Sequence, residues 1–212
     1  MGHRAEPWLT DQIADLLQSA QSEIRLTTPY FVPGSHGLSL VTGLAQRGVA
    51  VKVLTNSLST TDVAGVHAAY SHYRQPLLAS GAALWEFAPI RPSRRGLPAG
   101  IRGSRDRLHA KIFQIDGTTA LVGSHNFDMR SAQLNTEFAL LFRDPVLGGE
   151  LSALFDRQTA PDSAFALTLE DGALHWNIVE DGRKGKERNE PEASVLRRLA
   201  AWAMAFMPHD WL

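Results

Sequence analysis

Short apolar strands alternate with helical segments over the first 87 residues, and this alternation limits the chain to few folds. Strands are predicted at residues 24–28, 49–54 and 83–87. Helix-like periodicity precedes the first strand over 9–20 and lies between the strands over 38–45 and 61–79. Right-handed crossovers make three such strands parallel. The second strand is almost continuously apolar, which is typical of a strand covered on both faces. The sequence therefore predicts an α/β domain.

The second half of the chain predicts a different strand arrangement. A loop rich in Pro, Gly, Ser and Arg precedes three closely spaced strands, and Asp116-Gly117 is a strong hairpin signal. We expect a mixed β-sheet flanked by helices on both faces, in one domain covering residues 1–212. The remaining predictions are strands 108–115, 120–122 and 137–142, a helix 146–155, weaker strands 165–169 and 174–178, an exposed loop 180–193 and a terminal helix 194–207.

Composition excludes several classes of protein. The 212 residues include no cysteine, so disulfides, thiolate metal sites and cysteine nucleophiles are absent. No apolar run reaches the ~18 residues of a membrane span, and the first residues lack the apolar core of a secretory signal. Lys plus Arg is 21 against 22 for Asp plus Glu. This near-neutral balance argues against a nucleic-acid partner, because such binding depends on phosphate neutralisation by clustered cations.

The basic residues are unevenly spread. Arginines crowd one stretch that runs directly into the residues discussed next: Arg91, Arg94, Arg95, Arg102, Arg105 and Arg107. Guanidinium groups match phosphate oxygens in a bidentate way. A solvated loop is at least as good an interpretation of the arginines taken alone.

The chemistry is concentrated around His109 and Lys111, which lie two residues apart on a predicted strand and would share one face. An imidazole beside an ammonium suits a phosphate site, because one group can attack or donate a proton while the other neutralises oxygens. Asp116 lies seven residues from His109, an odd offset, so a regular strand places it on the other face. We expect Asp116 to anchor the turn.

A second pair of polar residues follows the hairpin. Ser124 and Asn126 are again two apart, and Gly123 before them allows a backbone to come close. Their neutral donors suit an oxyanion. A lone His-x-Lys is nearly always chance, and Ser-x-Asn is more often turn chemistry. The joint pattern is what favours a site.

That joint pattern resembles the phospholipase D superfamily, whose signature is His-x-Lys, four spacers and Asp, followed by Gly-Ser-x-Asn. Further segments of the sequence are similar to the bacterial cardiolipin synthase-like branch. The sequence departs at His125, where the family has an apolar residue, and at Met129, where proline is usual. The matching segments are Pro29-Tyr30-Phe31-Val32-Pro33-Gly34, Leu54-Thr55-Asn56-Ser57, Thr61-Asp62-Val63-Ala64, Arg130-Ser131 and Leu134-Asn135-Thr136-Glu137.

The resemblance implies a two-step reaction. In the family two such motifs meet at one site; one histidine attacks phosphorus and the other protonates the leaving alcohol. Carried over, His109 is the nucleophile or the acid, Lys111, Asn126 and Ser124 hold the non-bridging oxygens, and Glu137 orients a histidine. The implied substrate-binding residues are Tyr30, Arg102, Arg105 and Arg107. No cofactor and no metal are implied.

The chain carries one such motif, and this leaves alternatives open. We expect it to be the C-terminal half of a two-motif phosphatidyltransferase of the cardiolipin synthase type, peripheral on the cytoplasmic side of the bacterial inner membrane. Its partners would be phosphatidylglycerol or a similar phospholipid and the N-terminal half, or a second copy of the chain. A homodimeric phosphodiesterase or nuclease, and a half-domain that is inactive alone, are the rival hypotheses.

The terminal helix has two interpretations. Its apolar residues, with Arg197 and Arg198 beside them, suit a helix lying in a membrane interface. An amphipathic helix that closes the core is the more common arrangement, and the sequence favours it.

Overall fold

One mixed sheet of nine strands organises the part of the chain that the computed structural model describes, residues 9–89, 107–128, 131–132, 134–180 and 182–205. The strand order is β6-β5-β4-β1-β2-β3-β7-β8-β9. The strands are β1 Glu23–Thr27, β2 Ala50–Asn56, β3 Ala83–Phe87, β4 Ile112–Ile115, β5 Thr119–Gly123, β6 Ala139–Arg143, β7 Ala164–Glu170, β8 Ala173–Glu180 and β9 Arg183–Glu187. The helices are α1 Leu9–Gln18, α2 Gly34–Gln46, α3 Ala64–Ser71, α4 Arg74–Ala79, α5 Pro145–Gln158 and α6 Val195–Met204.

The centre of the sheet is the predicted parallel unit. β1 pairs in parallel with β2, and β2 pairs in parallel with β3. Helices connect these strands, as the alternation in sequence required. Because parallel strands end at the same edge, the loops that follow β1 and β2 are brought side by side.

β4 joins this unit antiparallel to β1, so that Leu26 lies opposite Phe113. It continues into β5 through the predicted Asp-Gly turn, where Asp116 has φ 50° and Gly117 φ 67°. Positive φ at both central residues matches the right-handed twist of the two strands. The antiparallel direction places the start of β4 next to the ends of β1 and β2.

Helices cover both faces of the sheet, as predicted. α1, α2 and α4 pack over the face that carries Leu26 and Phe113. α5 covers the opposite face, where Arg25 donates to the Ser152 carbonyl at 3.0 Å and Gln114 donates to the Gly148 carbonyl at 2.7 Å. The main core includes Ile13, Leu17, Ile24, Val41, Val53, Leu84 and Ile115.

Two predictions about elements were wrong. The helix expected over residues 61–79 is broken into α3 and α4 at His72–Tyr73. The segment 180–193, expected as an exposed loop, contains β9, which pairs with β8 and adds the outermost strand to the sheet. Its charged residues are typical of a loop, but charged side chains are also common on the edge strand of a sheet.

A buried ionic cluster ties the end of that segment to the domain. Arg74 is nearly fully buried and forms ion pairs with Glu86 at 3.0 Å and with Glu190 at 2.7 Å. Its guanidinium also lies over the ring of Trp176, whose indole N–H donates to Glu86 at 2.8 Å. His67 contacts both Arg74 and Glu190. The contacts attach the chain after β9 to α3 and α4.

We expect Arg74→Met to lower the free energy of unfolding by about 3–5 kcal/mol, because it leaves buried carboxyl groups without their cation. Urea denaturation followed by circular dichroism measures this. The double variant Arg74→Met/Glu86→Gln should recover part of the loss. Lys186→Met, which breaks an exposed ion pair with Glu170, is the control and should leave the midpoint unchanged; equal losses in both single variants would contradict the account.

Candidate active site

The polar residues picked out from the sequence gather at one edge of the sheet. β1 and β2 end at this edge, and β4 begins there, because Ile112 pairs with Thr27 at the end of β1. β5 finishes at the same edge, where Gly123 pairs with Ala139. This is the edge at which open α/β sheets form their sites.

His109 is positioned through its neighbour. The side chain of the buried Asn56 bonds both backbone groups of Leu108, accepting from the N–H at 3.1 Å and donating to the carbonyl at 3.1 Å. The strand predicted from Leu108 begins only at Ile112, so His109 precedes the regular ladder. The asparagine takes over the pairing there, and the imidazole is exposed.

Lys111 is partly buried at the start of β4. Its ammonium donates to the His109 carbonyl at 2.9 Å. Burial lowers the pKa of Lys111, and the neighbouring carboxylates of Glu137, Asp128 and Asp62 only partly oppose that shift. The acidic groups that act on this cation come from two connections, the loop after β2 and the segment between β5 and β6.

Gly123 allows β5 and the residue after it to lie against the start of β6. A Cβ atom at this position would lie 2.2 Å from the Phe138 carbonyl oxygen. The close approach lets the Ser124 N–H donate to that carbonyl at 3.0 Å, and the Phe138 N–H donate to Ser124 Oγ at 3.1 Å. The predicted close backbone approach is confirmed.

Glu137 is held by three side-chain donors. Ser131 Oγ donates to it at 3.1 Å and Asn135 Nδ2 at 3.2 Å, while the Ser124 hydroxyl bonds its other oxygen. Burial raises the pKa of the Glu137 carboxyl, but these hydrogen bonds lower it by more, so that the net pKa lies below the usual range. Glu137 is thus a fixed carboxylate beside Lys111.

Asn126 occupies a turn between β5 and β6. Its N–H donates to Ser131 Oγ at 3.2 Å, and the next residue, Phe127, donates from its N–H to Thr28 Oγ1 at 3.3 Å. Asn126 Oδ1 is buried and has no hydrogen-bond partner among the residues described. The backbone is therefore fixed on both sides of an amide whose Oδ1 is an unused acceptor.

Tyr30 and Arg107 meet at Asp62, a residue to which sequence reasoning assigned no role. Tyr30 Oη donates to Asp62 at 2.7 Å, and Arg107 pairs with it at 3.4 Å. Burial and the bond to Asp62 raise the pKa of Tyr30 to about 12, so the phenol stays protonated near neutral pH. The available signal for Asp62 was its place in the polar run after β2.

Two residues of the signature lie outside this group. Asp116 sits at the far end of β4, where its carboxylate accepts from the N–H groups of residues 21–23 at 2.8–3.3 Å. It anchors the turn, as predicted. His125 is buried edge-on to Phe113 and bonds Thr10, so it packs where the family has an apolar residue. Arg102, Arg105 and Met129 lie outside the described residues.

One group of possible metal ligands exists in the described part of the chain: His67, Glu86 and Glu190. The Arg74 guanidinium forms ion pairs with both carboxylates. A bound guanidinium already supplies the positive charge that a metal would bring, so the donor set fits an ionic cluster. The expectation that the reaction uses no metal stays a prediction.

The fold and site define a phospholipase D-like domain, and comparison with known proteins identifies its branch. The family described as "Cardiolipin synthase, PLD-like domain" matches residues 13–159. Cardiolipin synthase C of Escherichia coli K12 is 36% identical over 207 residues, covering 96% of this chain and 44% of that protein. The chain belongs to the cardiolipin synthase PLD-like domain family. It spans less than half the length of that relative.

Solved structures agree with the fold at low sequence identity. The phospholipase D family member Nuc of Salmonella typhimurium matches with a TM-score of 0.58 and 18% identity, over 75% of this chain and 90% of that one. Phosphatidylserine synthase of Haemophilus influenzae matches with a TM-score of 0.59 and 18% identity, over 77% and 38%. At this sequence identity, both comparisons support the fold alone.

Asp116→Asn should lower the free energy of unfolding by about 2 kcal/mol at pH 7, because charge-assisted bonds to backbone N–H groups are lost. Burial raises the pKa of Asp116, but its backbone hydrogen bonds lower it further, below the ~3.9 of an unfolded aspartate. The wild-type advantage is therefore complete above that value and is lost as the pH falls through the folded-state pKa. Urea denaturation at several pH values measures it.

The matched control is Asp171→Asn. Asp171 occupies the corresponding Asp-Gly turn between β7 and β8, with the same φ of 50°, and it is exposed. We expect a much smaller loss there. A pH-independent difference between wild type and Asp116→Asn would show that the charge of Asp116 does not stabilise the hairpin.

Proposed function

We propose that this chain is one half of a phosphatidyltransferase of the cardiolipin synthase type. The observation that carries the proposal is the convergence of His109, Lys111, Asn126 and the Ser124–Glu137 pair at one edge of the sheet. The substrate class follows the relatives named cardiolipin synthases. The reaction is cleavage of a phospholipid phosphodiester and transfer of the phosphatidyl group to an alcohol.

The first half-reaction forms a covalent intermediate. An imidazole nitrogen attacks phosphorus, the bond from phosphorus to the leaving alcohol oxygen breaks, and a second histidine gives that oxygen its proton. In the second half-reaction the acceptor alcohol returns a proton to the second histidine and attacks phosphorus. The phosphorus–nitrogen bond then breaks and frees the first imidazole. His109 supplies one of the two histidines.

The other residues stabilise charge or orient groups. Lys111 and the Asn126 amide hold the non-bridging oxygens, which gain negative charge as phosphorus becomes five-coordinate. The Ser124 hydroxyl donates its one proton to Glu137, and it would donate to a non-bridging oxygen only by exchanging that bond for the substrate. Glu137, fixed by three donors, orients and polarises a histidine. Asp116 acts only by holding β4 in register.

Tyr30 and Arg107 form the rim through which the phosphodiester enters. Asp62 fixes both side chains, so the phenol and the guanidinium are presented in one orientation. With a pKa of about 12 the phenol stays protonated, and its O–H donates to Asp62. Arg102 and Arg105, which precede the site in sequence, are proposed to add further cationic contacts to lipid headgroups.

The electrostatic balance supports a second half. Among the described side chains, the carboxylates of Asp62, Asp128 and Glu137 act electrostatically on Lys111, and Arg107 adds one more cation. A phosphodiester is anionic, so a site with more carboxylates than permanent cations binds it poorly. A second motif adds the missing lysine and histidine. We propose that this chain is the C-terminal half of such a protein, working peripherally at the cytoplasmic face of the bacterial inner membrane.

Turnover of phosphatidylglycerol tests the proposal. Lipid products should form when this chain is joined to an N-terminal PLD-like half, and His109→Ala should reduce the rate at least ~10³-fold, because the nucleophile or the proton donor is lost. Thin-layer chromatography of radiolabelled lipid follows product. His36→Ala, which changes an imidazole on α2, is the matched control and should retain the wild-type rate.

The chain alone separates the alternatives. His109-dependent turnover by the isolated chain would favour two copies completing one site. Cleavage of DNA or RNA with His109 dependence, and no lipid turnover, would favour a nuclease. Full lipid turnover by His109→Ala would refute the site assignment.

A further inference from the structure

Helix α6 carries its apolar side chains on the outside of the protein. Val195, Leu196 and Leu199 are 69%, 79% and 56% exposed, and Trp202 is 65% exposed. At 100° per residue these four positions, with Ala203, fall within one helical face. No residue of α6 is buried. The arrangement favoured from the sequence, a helix closing the core with its apolar face, is therefore wrong.

The polar face of α6 is the one that contacts the domain. Arg197 donates to the carbonyl oxygens of Ser59, at 3.3 Å, and Thr61. Arg198 donates to the Glu190 carbonyl at 2.7 Å. Two arginines thus hold the helix by backbone acceptors on its inner side, which is the reverse of ordinary amphipathic packing.

Further contacts fix both ends of this segment. The Glu190 carboxylate is bonded to the buried Arg74 at 2.7 Å, and Ser194 caps the first turn through the Arg197 N–H. At the other end His72 contacts the Ala205 carbonyl at 3.2 Å. These contacts hold α6 on the domain with its apolar face outward.

The contacts that hold α6 on the domain lie beside the candidate active site. Thr61, which accepts from Arg197, is followed directly by Asp62, the residue that binds Tyr30 and Arg107. Whatever contacts the outer face of α6 is therefore near the rim through which a phosphodiester reaches His109.

The chain leading to α6 is basic. Arg183, Lys184 and Arg188, on and just after β9, are exposed. From residue 183 to residue 192 there are four Lys or Arg against three Glu; Lys186 is paired with Glu170, and Glu190 is paired with Arg74. An apolar helical face that follows a cationic segment in the chain suits the interface of an anionic bilayer.

We propose that α6, with the basic residues of β9, docks the protein on the surface of an anionic phospholipid bilayer. The helix lies in the plane of the interface with Leu196 and Leu199 among the acyl chains. In the described part of the chain no helix has the length and apolarity to cross a bilayer. The role of the surface, presenting headgroups to the rim, rests on the proposed function, whereas its binding to lipid does not.

Vesicle flotation of the purified chain tests the docking surface. We expect binding to vesicles of equal phosphatidylglycerol and phosphatidylcholine, and much weaker binding to phosphatidylcholine alone. Leu196→Ser/Leu199→Ser should weaken binding about tenfold or more, because two side chains no longer enter the acyl region. Arg183→Glu/Lys184→Glu should remove the preference for anionic vesicles.

The matched control is Leu140→Ser/Leu141→Ser, which removes two leucines 65% and 49% exposed on β6. This variant should bind as wild type does. Circular dichroism and the unfolding midpoint confirm that each variant is folded. Because flotation needs no turnover, its result is independent of whether the enzyme assignment holds.

Three results would overturn the proposal. One is no binding of the wild type to anionic vesicles, and another is unchanged binding of the α6 double variant. The third is an association, with a second copy or with an N-terminal PLD-like half, that the α6 variant abolishes; α6 would then be a protein interface. Sedimentation velocity of each mixture detects that outcome.

Discussion

The carboxylate of Asp116 is the contact on which the site depends. By accepting from successive N–H groups of residues 21–23 it fixes the β4–β5 turn to the start of β1, and therefore the register of the antiparallel pair. That register brings the start of β4 to the ends of β1 and β2, where Asn56 pairs with Leu108. His109 and Lys111 thus reach the edge formed by the parallel loops, although Asp116 itself is a full strand length away.

The signature residues and the parallel core could be predicted from sequence because their signals are local. Strand periodicity, an Asp-Gly turn and fixed spacing each operate within a few residues. The role of Asp62 could not be predicted, since it depends on Tyr30 and Arg107 converging from elements far apart in the chain. The β4 strand was predicted to begin at Leu108 but begins at Ile112, and the cause is similar: the side chain of Asn56, from another strand, replaces the ladder bonds at Leu108.

The predictions for β9 and α6 were wrong for a different reason. The charged sequence of β9 predicts a loop. Edge strands, however, are commonly charged, because charged side chains prevent their unpaired backbone groups from pairing with another chain. The apolar periodicity of α6 predicts a helix that packs on the core. Periodicity defines an apolar and a polar face, but it does not show which of the two faces the domain. Arg197 decides this by bonding backbone carbonyls beside the site. The position of Glu190, paired with the buried Arg74, could not be anticipated from spacing alone.

The stereochemical course at phosphorus tests the account most directly. A substrate made chiral at phosphorus with oxygen isotopes can be turned over by the chain assembled with the proposed second half, and the product configuration can be read by phosphorus NMR. Transfer through a histidine comprises two in-line displacements, so the account predicts net retention. Net inversion would mean that the acceptor attacks the phosphodiester directly, and the covalent role assigned to the histidine pair would be wrong.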